Sequence, residues 1–460
     1  MLFRSLPASR RAARPRVHGK FLFVGDEKLY VRGVTYGAFQ PDKNGAEYHD
    51  LARIESDFAL MARHGINAVR IPHTTPPRAL LDIAERHGLW VMVGLSAEQY
   101  IGYLLDGGSP PGAPDIEALI RSKVRGISGH PALLCYALGN EIPAPVARFV
   151  GAPRIERYLE RLYRVVKEED PTGLVTYVNY PTTEYLRLPF LDFACFNVYL
   201  ESQNRLEAYL ARLQNIVGDR PLLMSELGLD SLRNGEDVQA GSLAWQVRAA
   251  FGAGCAGVFV FAWTDEWYRH GHDVENWEFG LTRADRTPKL ALATVNEAFG
   301  NVPFPAALPW PRVSVVVCSY NGSRTIRDTL AGLARLRYPD YEVIVVDDGS
   351  TDATAAIARE YDCVLIQTPN RGLSHARNTG LATATGEIVA YIDDDAYPDP
   401  DWLTYLAATF FSTPHAGVGG PNLAPTGDGP IAECVARAPG GPVHVLLSDT
   451  VAEHIPGCNM

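Results

Sequence analysis

Between residues 30 and 300 the chain repeats one alternation eight times, a short β-branched or aromatic run followed by a segment of helical period. The runs fall at 31–37, 68–71, 90–95, 133–138, 174–180, 193–199, 221–227 and 257–263. Helical patterns at 50–64, 77–87, 155–169, 206–216 and 244–251 lie between them. Strands that alternate with helices pair in parallel through crossovers, and eight such units in about 270 residues is the size of a closed (β/α)₈ barrel. A doubly wound open sheet alternates as well, but no glycine-rich dinucleotide fingerprint follows the first run. The expectation is α/β class, with a TIM barrel over 20–300.

Residues 301–312 carry prolines at 303, 305, 309 and 311, which makes a stiff extended linker. Beyond it, apolar strands at 313–319, 342–347, 363–367 and 387–392 begin a second, Rossmann-like α/β domain over 313–460. The 53 acidic residues outnumber the 42 basic ones, for a formal charge of −11, so a nucleic acid is not expected as partner. No apolar run approaches the roughly 18 residues of a membrane helix. Residues 1–19 are strongly basic, with Arg4, Arg10, Arg11, Arg14 and Arg16, lack the apolar core of a secretory signal, and are expected as a disordered tail. The seven cysteines, odd in number and scattered, suit free thiols in a reducing, cytoplasmic setting.

Catalytic groups of such barrels sit at the C-terminal ends of strands, and two carboxylates stand there. The fourth run closes on Gly139-Asn140-Glu141 and the seventh on Ser225-Glu226-Leu227. Glycosidic-bond cleavage needs such a pair, one to protonate the leaving oxygen and one to attack the anomeric carbon or activate water. A lone strand-end glutamate is more often half of an ion pair; two, with Asn140 beside the first, reverse that balance. His130, at the far end of its strand, is expected to be structural.

Three blocks in order, Gly65-Ile-Asn-Ala-Val-Arg70, Gly129-His-Pro-Ala-Leu-Leu-Cys-Tyr-Ala-Leu-Gly-Asn-Glu141 and Gly280-Leu-Thr-Arg-Ala-Asp-Arg-Thr-Pro-Lys289, resemble the clan A glycoside hydrolases, in particular the β-galactosidase and β-glucuronidase branch. No β-sandwich modules precede the barrel here, and substrate identity does not carry over. The resemblance implies a retaining mechanism with Glu141 as acid/base and Glu226 as nucleophile. It also implies Asn140 on the sugar 2-hydroxyl, Arg70 and Tyr199 orienting Glu226, and Trp263 as a stacking face for a pyranose. Asp265, Glu266 and Trp267 read more readily as mouth packing or structural ion pairs.

The second unit carries Val313-Ser-Val-Val-Val-Cys-Ser-Tyr-Asn-Gly322, Val346-Asp-Asp348-Gly-Ser350 and Tyr391-Ile-Asp393-Asp394-Asp395. Acidic groups at the ends of apolar strands are costly unless they meet a metal or donors. In this order they resemble the family 2 glycosyltransferases of the GT-A fold. That resemblance implies a nucleotide-sugar site, a UDP-sugar among the candidates, with Cys318 and Asp348 at the base and Arg377 near the nucleotide. Asp393 and Asp395 would hold Mg²⁺ or Mn²⁺, although which two of the three aspartates bind metal stays open. The strand on the acceptor side corresponds to Gly457–Met460, and the acidic catalytic base expected after it has no counterpart. The domain is therefore expected to be truncated and inactive in transfer. Two readings compete: a β-glycoside hydrolase or transglycosylase of a β-linked oligo- or polysaccharide joined to a glycosyltransferase, and a catalytically silent carbohydrate-binding barrel serving a protein that is primarily a glycosyltransferase.

Overall fold

The computed structural model describes residues 13–104, 114–269, 271–424, 429–431, 434 and 446–460. The chain divides into two compact units, residues 1–305 and 306–460. The first opens with a three-stranded antiparallel sheet, β1 (Pro15–His18), β2 (Phe21–Val24) and β3 (Glu27–Leu29). The basic tail expected over 1–19 is thus partly ordered: Arg16 pairs with Phe23 across the hairpin, and Arg14 hydrogen-bonds Asp170 and Thr172. Residues 1–12 lie outside the described residues.

All eight apolar runs become strands of one closed barrel: β4 (Val31–Thr35), β5 (Ala68–Ile71), β6 (Trp90–Gly94), β7 (Leu133–Asn140), β8 (Val175–Asn179), β9 (Ala194–Asn197), β10 (Leu222–Leu227) and β11 (Gly257–Val260). Neighbours pair in parallel throughout, and β11 returns to β4 in the register Gly257↔Val31. Parallel strands are buried on both faces, which is why they read as nearly unbroken apolar sequence; every residue of β10 is buried, Ser225 and Glu226 included. The hairpin of β12 (Tyr268–Arg269) and β13 (His272–Asp273) follows the eighth barrel strand. Among the described residues no helix is long and apolar enough to cross a membrane.

The second unit is a four-stranded parallel sheet of β14 (Val313–Ser319), β15 (Tyr341–Asp347), β16 (Val364–Gln367) and β17 (Ile388–Asp393), in the order β16-β15-β14-β17. Chain order reverses between β14 and β17, and ligands of open parallel sheets bind outside the carboxyl ends of the strands at such a reversal. Cys318 and Asp393 are register partners at that point. An antiparallel bridge of Asn459 to Ile392 lays the 457–460 segment along β17.

Candidate active site

Arg70 anchors the mouth of the barrel. It stands on the second barrel strand, is 1% exposed, and reaches the products of two other strands. One guanidinium nitrogen donates to Glu226 Oε1 at 2.7 Å and the other to Asn140 Oδ1 at 2.7 Å. A buried charge is tolerated only when paired and hydrogen-bonded; here Glu226, itself 8% exposed, supplies the counter-charge. Tyr199, just past the sixth strand, donates its hydroxyl to the other oxygen, Glu226 Oε2, at 2.5 Å. Burial of that hydroxyl and the adjacent Glu226 charge push the phenol well above its ordinary pKa, so it stays a donor. Two donors converging on separate oxygens fix the rotamer of Glu226.

Glu141 follows the fourth strand with φ +45°, a left-handed conformation that is strained for a non-glycine residue and that turns its carboxyl out of the strand direction. Asn197 Nδ2 donates to Glu141 Oε1 at 2.8 Å and to Asn140 Oδ1 at 3.2 Å, and Ser225 holds Asn197 from behind at 2.8 Å. Burial, and next the Glu226 charge, raise the Glu141 carboxyl above the usual range; the Asn197 donor and Arg70 only partly offset this. One glutamate therefore has a cation and a phenol against it, while the other is disposed to keep its proton.

The structure brings Arg70, Asn140, Glu141, Tyr199 and Glu226 into one connected network. Trp263 is different: it has no exposed surface and sits in the barrel core, so the stacking face expected of it is not presented to a sugar. The eighth strand ends at Val260, and the indole that follows packs inward. Asp265 is engaged by Lys289 at 2.7 Å and Glu266 by Arg286 at 2.8 Å and by Arg53, structural ion pairs in keeping with their sequence reading. His130 is 1% exposed and pairs with Asp82 at 3.0 Å. Two members of the site did not stand out in the sequence. Asn197 lies between Phe196 and Val198, and its polarity within an apolar run is the only local signal. Glu98 accepts from the Asn140 backbone N–H at 3.1 Å, and its carboxyl comes so near Gly139 that a Cβ there would meet it at 2.7 Å.

In the second unit the acidic strand ends also converge. Asp348 is 4% exposed and accepts from the backbone of Arg371 at 3.0 Å and Gly372 at 2.7 Å, which pins the 368–372 loop beside the end of β15. Cys318 is half-buried among Arg377, Asp393 and Asp348. Asp394 accepts from Ser319 Oγ, whereas Asp393 faces Arg377 at 3.6 Å and Asp395 is exposed. Burial raises both Asp393 and Asp394, and their acidic neighbours add to it. No three His, Cys, Asp or Glu side chains gather into a metal cage among the described residues. Two carboxylates completed by phosphate and water are nonetheless what Mg²⁺ usually takes, so the donor set fits such an ion. Arg377 also donates to the Gly457 carbonyl at 3.3 Å.

An eight-stranded parallel barrel with a buried Glu226 and a half-buried Glu141 at its seventh and fourth strands has the architecture of a glycoside hydrolase. Residues 16–304, well over half of the chain, match the model of glycosyl hydrolases family 2, TIM barrel domain, and the chain belongs to that family. Residues 314–431 match glycosyl transferase family 2. Similar solved structures include a β-galacturonidase from Eisenbergiella tayi (18% identity, TM-score 0.50, 62% of this chain and 54% of that one). Another is a β-glucuronidase from Faecalibacterium prausnitzii (20%, TM-score 0.52, 63% and 52%). At these identities the likeness is one of fold. Over the second unit, glycosyltransferase AglE of Haloferax volcanii is 37% identical across 118 residues, 24% of this chain and 39% of its own length. A poly-β-1,6-N-acetyl-D-glucosamine synthase of Staphylococcus epidermidis is 36% identical across 110 residues, 23% and 27%. The chain spans well under half the length of these curated relatives and about half the length of the solved structures.

Proposed function

We propose that the barrel is a retaining β-glycoside hydrolase or transglycosylase of a β-linked oligo- or polysaccharide, joined to a nucleotide-sugar-dependent glycosyltransferase unit. The carrying observation is the split environment of the two glutamates, with Arg70 and Tyr199 on Glu226 and a half-buried Glu141 whose carboxyl is raised. Glu226 attacks the anomeric carbon as the glycosidic C–O bond breaks, and Glu141 gives its proton to the departing oxygen. Water or a sugar hydroxyl then attacks the same carbon, Glu226 leaves, and Glu141 takes the incoming proton back. On this reading Asn140, whose amide oxygen accepts from Arg70, hydrogen-bonds the 2-hydroxyl.

The test is product stereochemistry. Proton NMR of early product from an aryl β-glycoside should show the β-anomer first; an α-anomer would overturn the double displacement, and no turnover across aryl β-glycosides would favour a silent binding barrel. For the second unit the reading is a nucleotide-diphosphate site in which Asp393 and Asp395 would hold Mg²⁺ or Mn²⁺, the ion neutralising pyrophosphate charge. Its relatives include, by name, a synthase of a β-linked polymer, which suits assembly of a β-glycan. Seven free thiols suit a cytoplasmic setting, which fractionation of a tagged protein would check.

A further inference from the structure

A groove of about 350 Å³ opens on the flank of the barrel unit, apart from the glutamate pair. One wall is the helix Glu236–Gly252, whose Val238, Gly241, Ser242 and Trp245 recur at the spacing of a single helical face. The other wall comes from the segments that leave the sixth and seventh barrel strands, through Glu201, Leu229 and Asn234. Those segments start at the catalytic end of the barrel. Glu201 follows Tyr199 by two positions and Leu229 follows Glu226 by three.

The lining has a definite chemistry. Trp245 is half-buried, packed in part on the barrel core, and its remaining surface faces the groove. Asn234 spends one amide hydrogen on the Asp230 carbonyl, and its side-chain oxygen takes no hydrogen bond among the described residues. Ser242 accepts from Gln246 at 3.3 Å and keeps its own hydroxyl proton. No basic residue lines the groove, and its one carboxylate, Glu201, is already paired with Arg233. The cation nearest the lining, Arg233, is taken up by Glu201, so a phosphate or uronate would have to displace that pair. A flat apolar indole, an amide, a hydroxyl and a carboxylate are what a neutral pyranose needs, its C–H face on the ring and its hydroxyls on the polar groups. The volume lies at the low end of ligand sites, which suits a short stretch of sugar. Gly241 borders open space, since a Cβ added there meets nothing within 4 Å, so a larger side chain can be introduced at the groove without displacing a neighbour.

The geometry points to a secondary glycan-binding subsite, lined by Trp245, Asn234 and Ser242, that holds a neutral part of the β-linked chain remote from the bond being cut. This rests on the barrel acting on a β-linked glycan. Binding energy from remote sugar units then holds long substrates without touching the reacting centre.

The test uses the full chain carrying Glu226→Ala, so that no ligand is consumed, with calorimetric titration of cellohexaose, laminarihexaose and β-1,4-galactohexaose. At least one should bind, and Trp245→Ala and Gly241→Leu should each weaken it about tenfold. The leucine adds bulk at the groove wall without a clash at its Cβ and favours the helix, so its effect is not one of unfolding. With Glu226 restored, both variants should keep the parent kcat and KM on a p-nitrophenyl β-glycoside. Undiminished hexasaccharide binding in both variants, binding of none of the three, or an acidic oligoglucuronate held as tightly through Trp245 would each overturn the subsite. Absent aryl-glycoside turnover in the parent chain would instead overturn the catalytic reading and leave the calorimetric result to stand by itself.

Discussion

Glu141 owes its pH response first to burial and next to the charge of Glu226. With its carboxyl raised first by burial and then by the neighbouring charge, it stays protonated above the ordinary carboxylate range, and acid catalysis is lost as pH rises through that raised value. The stability that goes with the raised value runs the same way, present at low pH and lost as pH rises through it. Glu226→Gln removes the repelling charge and leaves Arg70 without its partner, so both changes lower Glu141. Carbon-13 NMR of the labelled carboxyl should show Glu141 titrating at lower pH in this variant; an unchanged midpoint would mean the two groups are not coupled. The roles also separate kinetically. Glu226→Ala should abolish turnover on every substrate, whereas Glu141→Ala should cost about 10²- to 10⁴-fold on poor leaving groups and much less on dinitrophenyl glycosides, which depart unprotonated. Equal losses on both substrate types would reverse or dissolve the assignment.

At the scale of elements, the barrel was legible because buried parallel strands must be apolar throughout, and that leaves eight unmistakable runs. Both glutamates were legible because a charge that closes such a run has no structural reason to be there unless it is paired or functional. Partners distant in sequence were not. Asn197 supports Glu141 from a strand 56 residues away, and nothing local announces it. Trp263 misled for the opposite reason, since its position just past a strand suggests exposure while inward packing decides otherwise. The N-terminal hairpin was hidden by its own arginines. Arg14 is the clearest case: 156 residues separate it from Asp170, yet its guanidinium reaches both carboxylate oxygens, at 2.5 and 2.8 Å, and Tyr136 adds a third donor. Burial would raise Asp170, but these hydrogen bonds outweigh it and hold the carboxyl below its usual range. A depressed carboxyl stabilises above its unfolded value, and that contribution is lost as pH falls through the folded one. Arg14→Ala should therefore cost about 2 kcal/mol near neutral pH and flatten the acid limb of the stability curve. Equal denaturant midpoints for parent and variant at neutral pH would show that the N-terminal segment does not clasp the barrel.

For the molecule as a whole, the second unit concentrates its acid where the sheet order reverses. A formal charge of −11 is spread over 460 residues, but Asp393, Asp394 and Asp395 are consecutive, with Arg377 the cation facing Asp393. Ser319 takes up Asp394, whereas Asp393 has only the longer contact to Arg377 and Asp395 is exposed, so these two are the candidates for a ligand. Burial disfavours the charged form of Asp393 and Arg377 only partly offsets this, so a divalent ion brought in with a nucleotide diphosphate would relieve a remaining cost while competing with that one cation at 3.6 Å. UDP should accordingly bind the full chain in the presence of Mg²⁺ or Mn²⁺ and lose most of its affinity in EDTA. Asp393→Asn and Asp395→Asn should remove the metal dependence, whereas Asp394→Asn should largely preserve it. Unchanged aryl β-glycoside turnover by the same variants would show that the barrel remains intact while the nucleotide site is altered. Metal-independent UDP binding, or a larger loss from Asp394→Asn than from either neighbour, would mean that the ion is held by a different pair or is not held at all.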